Sequence, residues 1–201
     1  HYKLPDGGVT GAQLHRDGFH DSSGAALTLI ASSRAIDAWA FEFMDWNINI
    51  PPKAANVEFT SHLPSEAIAS MLGADIALGG GTIRLHQVHA HAHHLAIRVA
   101  LHRRRGGRWS TLLELDPFCG YGACQQFLDL QGSPDIRLGD SLEFRCLYNN
   151  TESVPIIYGL SSKMEMCGAI LIYSPRAMQK MHGALTPTWF GDGGGTQQYV
   201  G

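Results

Sequence analysis

The sequence has no apolar run approaching the ~18 residues that a membrane-spanning helix needs, so no such helix lies within these 201 residues. Charge is scarce as well. Charged residues make up 16% of the chain, and 15 Lys and Arg stand against 18 Asp and Glu, for a net charge of −3. That balance lacks the basic excess that binds nucleic acid or an anionic membrane. The one basic patch, "HRRRGGR" (His102–Arg108), reads as a solvated hairpin turn. Only four cysteines are present and none forms a CxxC pair, which argues against a zinc knuckle. Helical spacing occurs once, in "PSEAIASMLGA" (Pro64–Ala74), and no internal repeat is found.

What remains is strand. "ALTLIAS", "AWAFEFMDWNINI", "ANVEFTSHL", "TIRLHQVHAHAHHLAIRVALH", "RWSTLLEL", "SLEFRCLYN", "PIIYGLS" and "GAILIYS" are strand-like runs, several alternating apolar and polar at period two. Pro, Gly, Asn and Asp turn clusters such as "PPKAA", "LGGGT", "GSPD" and "YNNTES" separate them. About eight strands joined by short turns predict an all-β fold, an antiparallel β-sandwich of the jelly-roll type. Residues 1–25 read as an irregular lead-in, 26–176 as the folded domain and 177–201 as a Gly-rich tail.

Cys119, Cys124, Cys146 and Cys167 allow three full pairings. Asn149 opens an Asn-x-Thr sequon, a candidate glycosylation acceptor. The chain begins at His1 rather than Met, as a processed or a trimmed chain does. Together these predict a secreted, disulfide-bonded protein.

The chemistry concentrates in "HQVHAHAHHL" (His86–Leu95). Read as part of one long strand, 82–99, it puts His89, His91 and His93 on one face. His86 and His94 then face the other way, with Val88, Ala90 and Ala92, in packing or hydrogen-bonding roles. Imidazoles at i and i+2 on a strand can share one metal ion, and imidazole suits zinc, copper, iron or nickel. "SSKMEMCGAILIYSP" adds Met164, Met166 and Cys167 before an apolar strand. A thioether favours Cu(I) and is a poor zinc ligand. A zinc site on His89, His91 and His93 with hydrolytic chemistry stays open on spacing alone.

In order and spacing, "INIPP" (Ile48–Pro52), "HAHHL" (His91–Leu95), "RGGRW" (Arg105–Trp109), "GDSLEFRC" (Gly139–Cys146), "YNNTE" (Tyr148–Glu152) and "EMC" (Glu165–Cys167) form one series. The series resembles the second catalytic-core domain of the copper type II, ascorbate-dependent monooxygenases, the peptidylglycine and dopamine enzymes. The resemblance runs over roughly Ala38 to Pro175. It implies copper held by His91, His93 and Met166, which would also be the catalytic set. A register two residues earlier, on His89 and His91, resembles the dopamine enzyme. It further implies a Cys146–Cys167 disulfide, leaving Cys119 and Cys124 to close a loop that has no counterpart in the family.

The implied activity is hydroxylation of a substrate C–H bond with dioxygen and ascorbate or another external reductant. Two alternatives stand beside it: a non-catalytic copper-binding or sequestering protein, and the zinc site. The family's other domain supplies an electron-passing three-histidine copper, and no such set is visible here. His1, His15, His20, His62 and His182 are scattered, so electrons would come from a separate donor domain or protein. His1 is a further metal candidate through its amine and ring. The peptide enzyme's carboxylate clamp of Arg, Asn and Tyr corresponds here to His89, Gly168 and Ile170. A small-molecule or peptide substrate is implied, apolar or neutral where it meets those residues. The tail ending at Gly201 could dock on its own chain or a neighbour.

Overall fold

A computed structural model of the chain describes residues 38–69, 81–121, 124–175 and 198–199. The lead-in, the run "ALTLIAS", most of the Gly-rich tail, and His1, His15, His20, His182 and Gly201 lie outside the described residues.

The fold is an all-β antiparallel sandwich. One sheet has the order β1 (Trp39–Asp45), β11 (Cys167–Ser174), β4 (Thr82–Ala92), β7 (Phe127–Asp129), with β8 (Asp135–Arg137) also pairing β4. The other has the order β12 (Gln198–Tyr199), β3 (Val57–Leu63), β9 (Ser141–Tyr148), β5 (Ala96–Arg105), β6 (Arg108–Leu115). A separate pair joins β2 (Asn49–Ile50) to β10 (Ile156–Ile157). The described strands outnumber the expected eight because several are only two or three residues long. Such stubs carry too little alternation to be read from sequence. The tail's Gln198–Tyr199 adds an edge strand against Val57 and Glu58 of the same chain. Of the helix expected at 64–74, residues 65–69 are helical and those from 70 onward lie outside the described residues.

Alternation explains why these runs pair as they do. In β9, Leu142, Phe144, Cys146 and Tyr148 are buried, while Ser141, Glu143, Arg145 and Leu147 between them are half-buried. The buried set meets Phe41, Phe43, Leu85, Val88, Ala90, Leu171 and Tyr173 of the opposite sheet in one apolar core. Each large side chain buried there contributes roughly 1.5–3 kcal/mol. The Cys146–Cys167 disulfide links β9 to β11 and so ties one sheet to the other.

Two expectations about the histidine run are corrected. The stretch is not one strand. β4 stops at Ala92, residues 93–95 turn, and β5 starts at Ala96 in the other sheet. The backbone N–H groups of His93 and Leu95 donate to the Glu165 carboxylate, both at 2.8 Å, rather than to a neighbouring strand. Strict alternation also breaks at His86. Tyr173 pairs with Leu85 but Ile172 with Gln87, so His86 sits in a bulge, and both Leu85 and Val88 are buried.

The basic patch is a hairpin turn through Gly106 and Gly107, whose φ values of 54° and 81° suit the tight turn between β5 and β6. It is less solvated than its charge predicts. Arg105 donates to both carboxylate oxygens of Asp140, at 2.8 and 2.7 Å, and Arg103 donates to the carbonyl of Asp135 at 2.8 Å. Arg104 lies over the Trp109 ring, 5.9 Å from its centroid.

Candidate metal centre

The last residues of β4 and the turn after them assemble the site. His89 and His91 share the outer face of their sheet, with ring centroids 6.0 Å apart and planes nearly parallel. His93 follows the end of the strand, so its ring is freed from that alternation. It stands 5.3 Å from His91 with the planes at 89°.

The ring nitrogens of His91 and His93 are set by their partners. His93 Nδ1 lies 2.7 Å from the Met164 carbonyl oxygen, which can only accept, so Nδ1 carries the proton. His91 Nδ1 lies 2.7 Å from Gln125 Oε1. The same amide donates from Nε2 to the Ala92 carbonyl at 2.6 Å, which fixes Oε1 as an acceptor and puts the proton on His91 Nδ1. In both histidines the proton on Nδ1 leaves the Nε2 lone pair for a metal. Burial holds the His91 ring below the usual histidine pKa, partly offset by its bond to Gln125, with further lowering from His93 and His89. A neutral ring is the form a metal requires.

Glu165 joins the histidine turn to Met166. It is fully buried and accepts from the backbone N–H of His93, Leu95 and, more weakly at 3.4 Å, Met166. Burial raises its pKa, with the Leu95 and His93 N–H bonds opposing. Met166 is buried, its carbonyl accepts the Tyr148 hydroxyl at 2.6 Å, and the next residue is the disulfide-bonded Cys167. Met164 plays a different part from Met166. Its sulfur packs on Gly159, where a Cβ would lie only 2.0 Å away, and its carbonyl holds His93.

The other candidates are placed as follows. His89 packs its ring on Phe127, 5.1 Å between centroids, and its Nδ1 is buried without a hydrogen bond. Among the described residues no three His, Cys, Asp or Glu side chains come close enough to hold a metal ion. His86 lies 2.7 Å from the Ser174 hydroxyl, and His94 Nδ1 is 3.9 Å from Glu165. His62 pairs with Glu143 at 3.5 Å on the other sheet. In register, Gly168 lies beside His91 and Ile170 beside His89. A Cβ on Gly168 would be 2.9 Å from the Phe43 carbonyl and 3.0 Å from Met44 Cγ, so Met44 occupies the space a clamping side chain would need. Asn149 accepts from the Asn56 N–H at 2.9 Å on the loop after β9. The second disulfide, Cys119–Cys124, closes a short loop directly before Gln125.

Sequence reasoning missed Gln125, Glu165 and the Met164 carbonyl. The only trace of them was the small cysteine loop next to Gln125 and the acid next to Met166.

Residues 39–184 match the C-terminal domain of the copper type II ascorbate-dependent monooxygenases. The chain belongs to that family. DBH-like monooxygenase protein 1 from Gallus gallus is 30% identical over 166 residues, covering 81% of this chain and 26% of the relative. The Mus musculus protein of the same name is 31% identical over 165 residues, covering 80% and 26%. The Homo sapiens protein is 30% identical over 166 residues, with 81% and 26% covered. The chain thus spans about a quarter of the length of the curated relatives it matches.

Proposed function

We propose that His91, His93 and Met166 hold one copper ion, and that the domain uses it to hydroxylate a substrate C–H bond with dioxygen and an external reductant such as ascorbate. The observation that carries this reading is the matched tautomer of the two imidazoles, each with Nδ1 engaged and Nε2 available, on a turn held by Glu165, the residue before Met166. Two neutral nitrogens and a thioether form a soft set that suits Cu(I). Copper supplies one-electron chemistry with dioxygen. The chain's residues do the rest: Gln125 and the Met164 carbonyl orient the rings, and Glu165 holds the turn that presents them.

The substrate would lie on the outer face of the β4 sheet. One cross-strand row there runs Met44, Gly168, His91, and the next runs Glu42, Ile170, His89, Phe127. Neither row carries a Lys or Arg to clamp a carboxylate, which favours an apolar or neutral group against the metal. Electrons would come from a donor domain or protein. The two disulfides fit the oxidising secretory route.

Copper analysis, EPR and Cu(I) competition against a chromophoric chelator test the proposal. His91→Ala should weaken Cu(I) binding by more than about 100-fold, beyond what loss of a supporting residue does. Met166→Leu keeps the volume but removes the sulfur, so Cu(I) binding falls while zinc binding is unchanged. Ascorbate-driven oxygen uptake should appear with the wild type. Copper bound without such uptake would leave sequestration or transfer as the role. Zinc retained by His91→Ala, with no copper in the wild type, would end the copper reading altogether.

A further inference from the structure

Between β6 and β7, residues 118–121 and 124–126 run past the histidine turn. Their first anchor is Phe118, whose N–H donates to the Ile97 carbonyl of β5 at 2.8 Å. Gly120 then lies flat on the turn: a Cβ there would be 2.0 Å from the His93 carbonyl oxygen and 2.8 Å from His94 Cα. Cys119 and Cys124 close the loop with their Cα atoms 5.8 Å apart. The next residue, Gln125, reaches His91 Nδ1 and the Ala92 carbonyl. Two residues later Phe127 pairs with His89.

We propose that the Cys119–Cys124 loop is a clamp that presets the metal centre, with Gln125 as its positioning residue. The loop touches the histidine segment on both sides of the pair, Gly120 at His93–His94 and Gln125 at His91–Ala92. A free glutamine loses about 1.5–2 kcal/mol of rotamer freedom when it is fixed. A closed ring directly before it restricts the backbone that carries it, so less freedom remains to be lost at the moment of binding. An unrestrained imidazole exchanges between two neutral tautomers. Gln125 selects one of them in advance, through an amide that cannot turn over without setting its Oε1 against the Ala92 carbonyl.

The clamp's relevance to copper rests on His91 and His93 being the ligands, so the test reads the clamp without metal. In ¹⁵N-labelled, metal-free protein, long-range ¹H–¹⁵N correlations report the tautomer of each imidazole. The wild type should show His91 and His93 both protonated on Nδ1. Gln125→Ala should convert His91 to a mixture while His93, held by the Met164 carbonyl, stays as it was. Cys119→Ser with Cys124→Ser should also loosen His91, with backbone amide spectra showing that the sheets persist.

In Cu(I) competition, Gln125→Ala should weaken binding about 10- to 100-fold, the range seen for outer-shell partners. A single Nδ1–H tautomer at His91 in both Gln125→Ala and the double cysteine variant would overturn the clamp. The expected tautomer changes in a protein that binds no copper would uphold the clamp and overturn the copper reading instead.

Discussion

Two of the domain's buried carboxylates keep very different company. Asp140, at the arginine hairpin, is almost fully buried and faces a guanidinium, with Arg105 donating to both its oxygens and the Arg137 N–H adding one backbone bond at 2.9 Å. Glu165, at the histidine turn, is fully buried and is held mainly by backbone N–H groups, with His94 3.9 Å away. The first is an ion pair that fastens the β5–β6 hairpin to the turn before β9. The second shapes main chain. An acid satisfied mainly by peptide groups dictates the path of the backbone, whereas one satisfied mainly by an arginine ties in a long side chain.

That contrast sets an order of effects. Glu165→Ala strands the N–H groups of His93 and Leu95 in the interior, and should lower unfolding free energy by about 3 kcal/mol. It should also weaken Cu(I) binding, because both His93 and Met166 lose their tie. Urea unfolding and chelator competition read the two effects separately.

Arg105→Ala comes next. It leaves a buried carboxylate facing a gap, but the Arg105 side chain is 34% exposed, so water can enter. A loss of about 2 kcal/mol is expected, with Cu(I) affinity unchanged within about twofold, since among the described residues Arg105 bonds Asp135 and Asp140 and not His91 or His93. A copper effect as large as that of Glu165→Ala would collapse the distinction between the two acids.

The smallest effect concerns a third acid, Asp45. It is buried, one oxygen accepts from the Asn47 N–H at 2.8 Å, and Oδ2 has no hydrogen bond among the described residues. Burial raises its pKa above the usual 3.8, with the Asn47 bond opposing. The ionised form is therefore the one the fold disfavours. The penalty is absent below the unfolded pKa and complete above the raised, folded one. Asp45→Asn should stabilise the protein at neutral pH by on the order of 1 kcal/mol, and the gain should vanish as pH falls toward 3.8. Thermal melts of both proteins across that interval check the sign. A gain that grew on acidification would contradict it.

Much of the scaffold was legible because it rests on local alternation. β9, and the histidine strand from Gln87 to Ala92, announce their buried faces at every second residue. The all-β sandwich follows from those runs and the turns between them. The turn at 93–95 was not legible, since the group that makes it, Glu165, lies 70 or more positions further along the chain. The bulge at His86 was hidden for a related reason: it answers to Tyr173 and Ile172 on a distant strand. The histidines drew attention as a cluster, but the orientation of each ring depends on Gln125 and on a carbonyl. A peptide carbonyl has no residue identity to read, and a single glutamine after a cysteine has no period. His89, His91 and His93 were equal in spacing and became unequal only once the backbone left the sheet between the last two.

That departure has a mechanical consequence. His91 sits in a strand of one sheet, and the chain after His93 enters the other. His93 sits at the crossing, yet its ties to Glu165 and to the Met164 carbonyl reach the segment that leads into β11, the neighbour of β4, so both rings answer to the sheet that carries His91. The Cys146–Cys167 bridge is a rivet between the two sheets, one residue from Met166. Any grip formed by His91, His93 and Met166 would be set on one sheet, with the other fastened behind it.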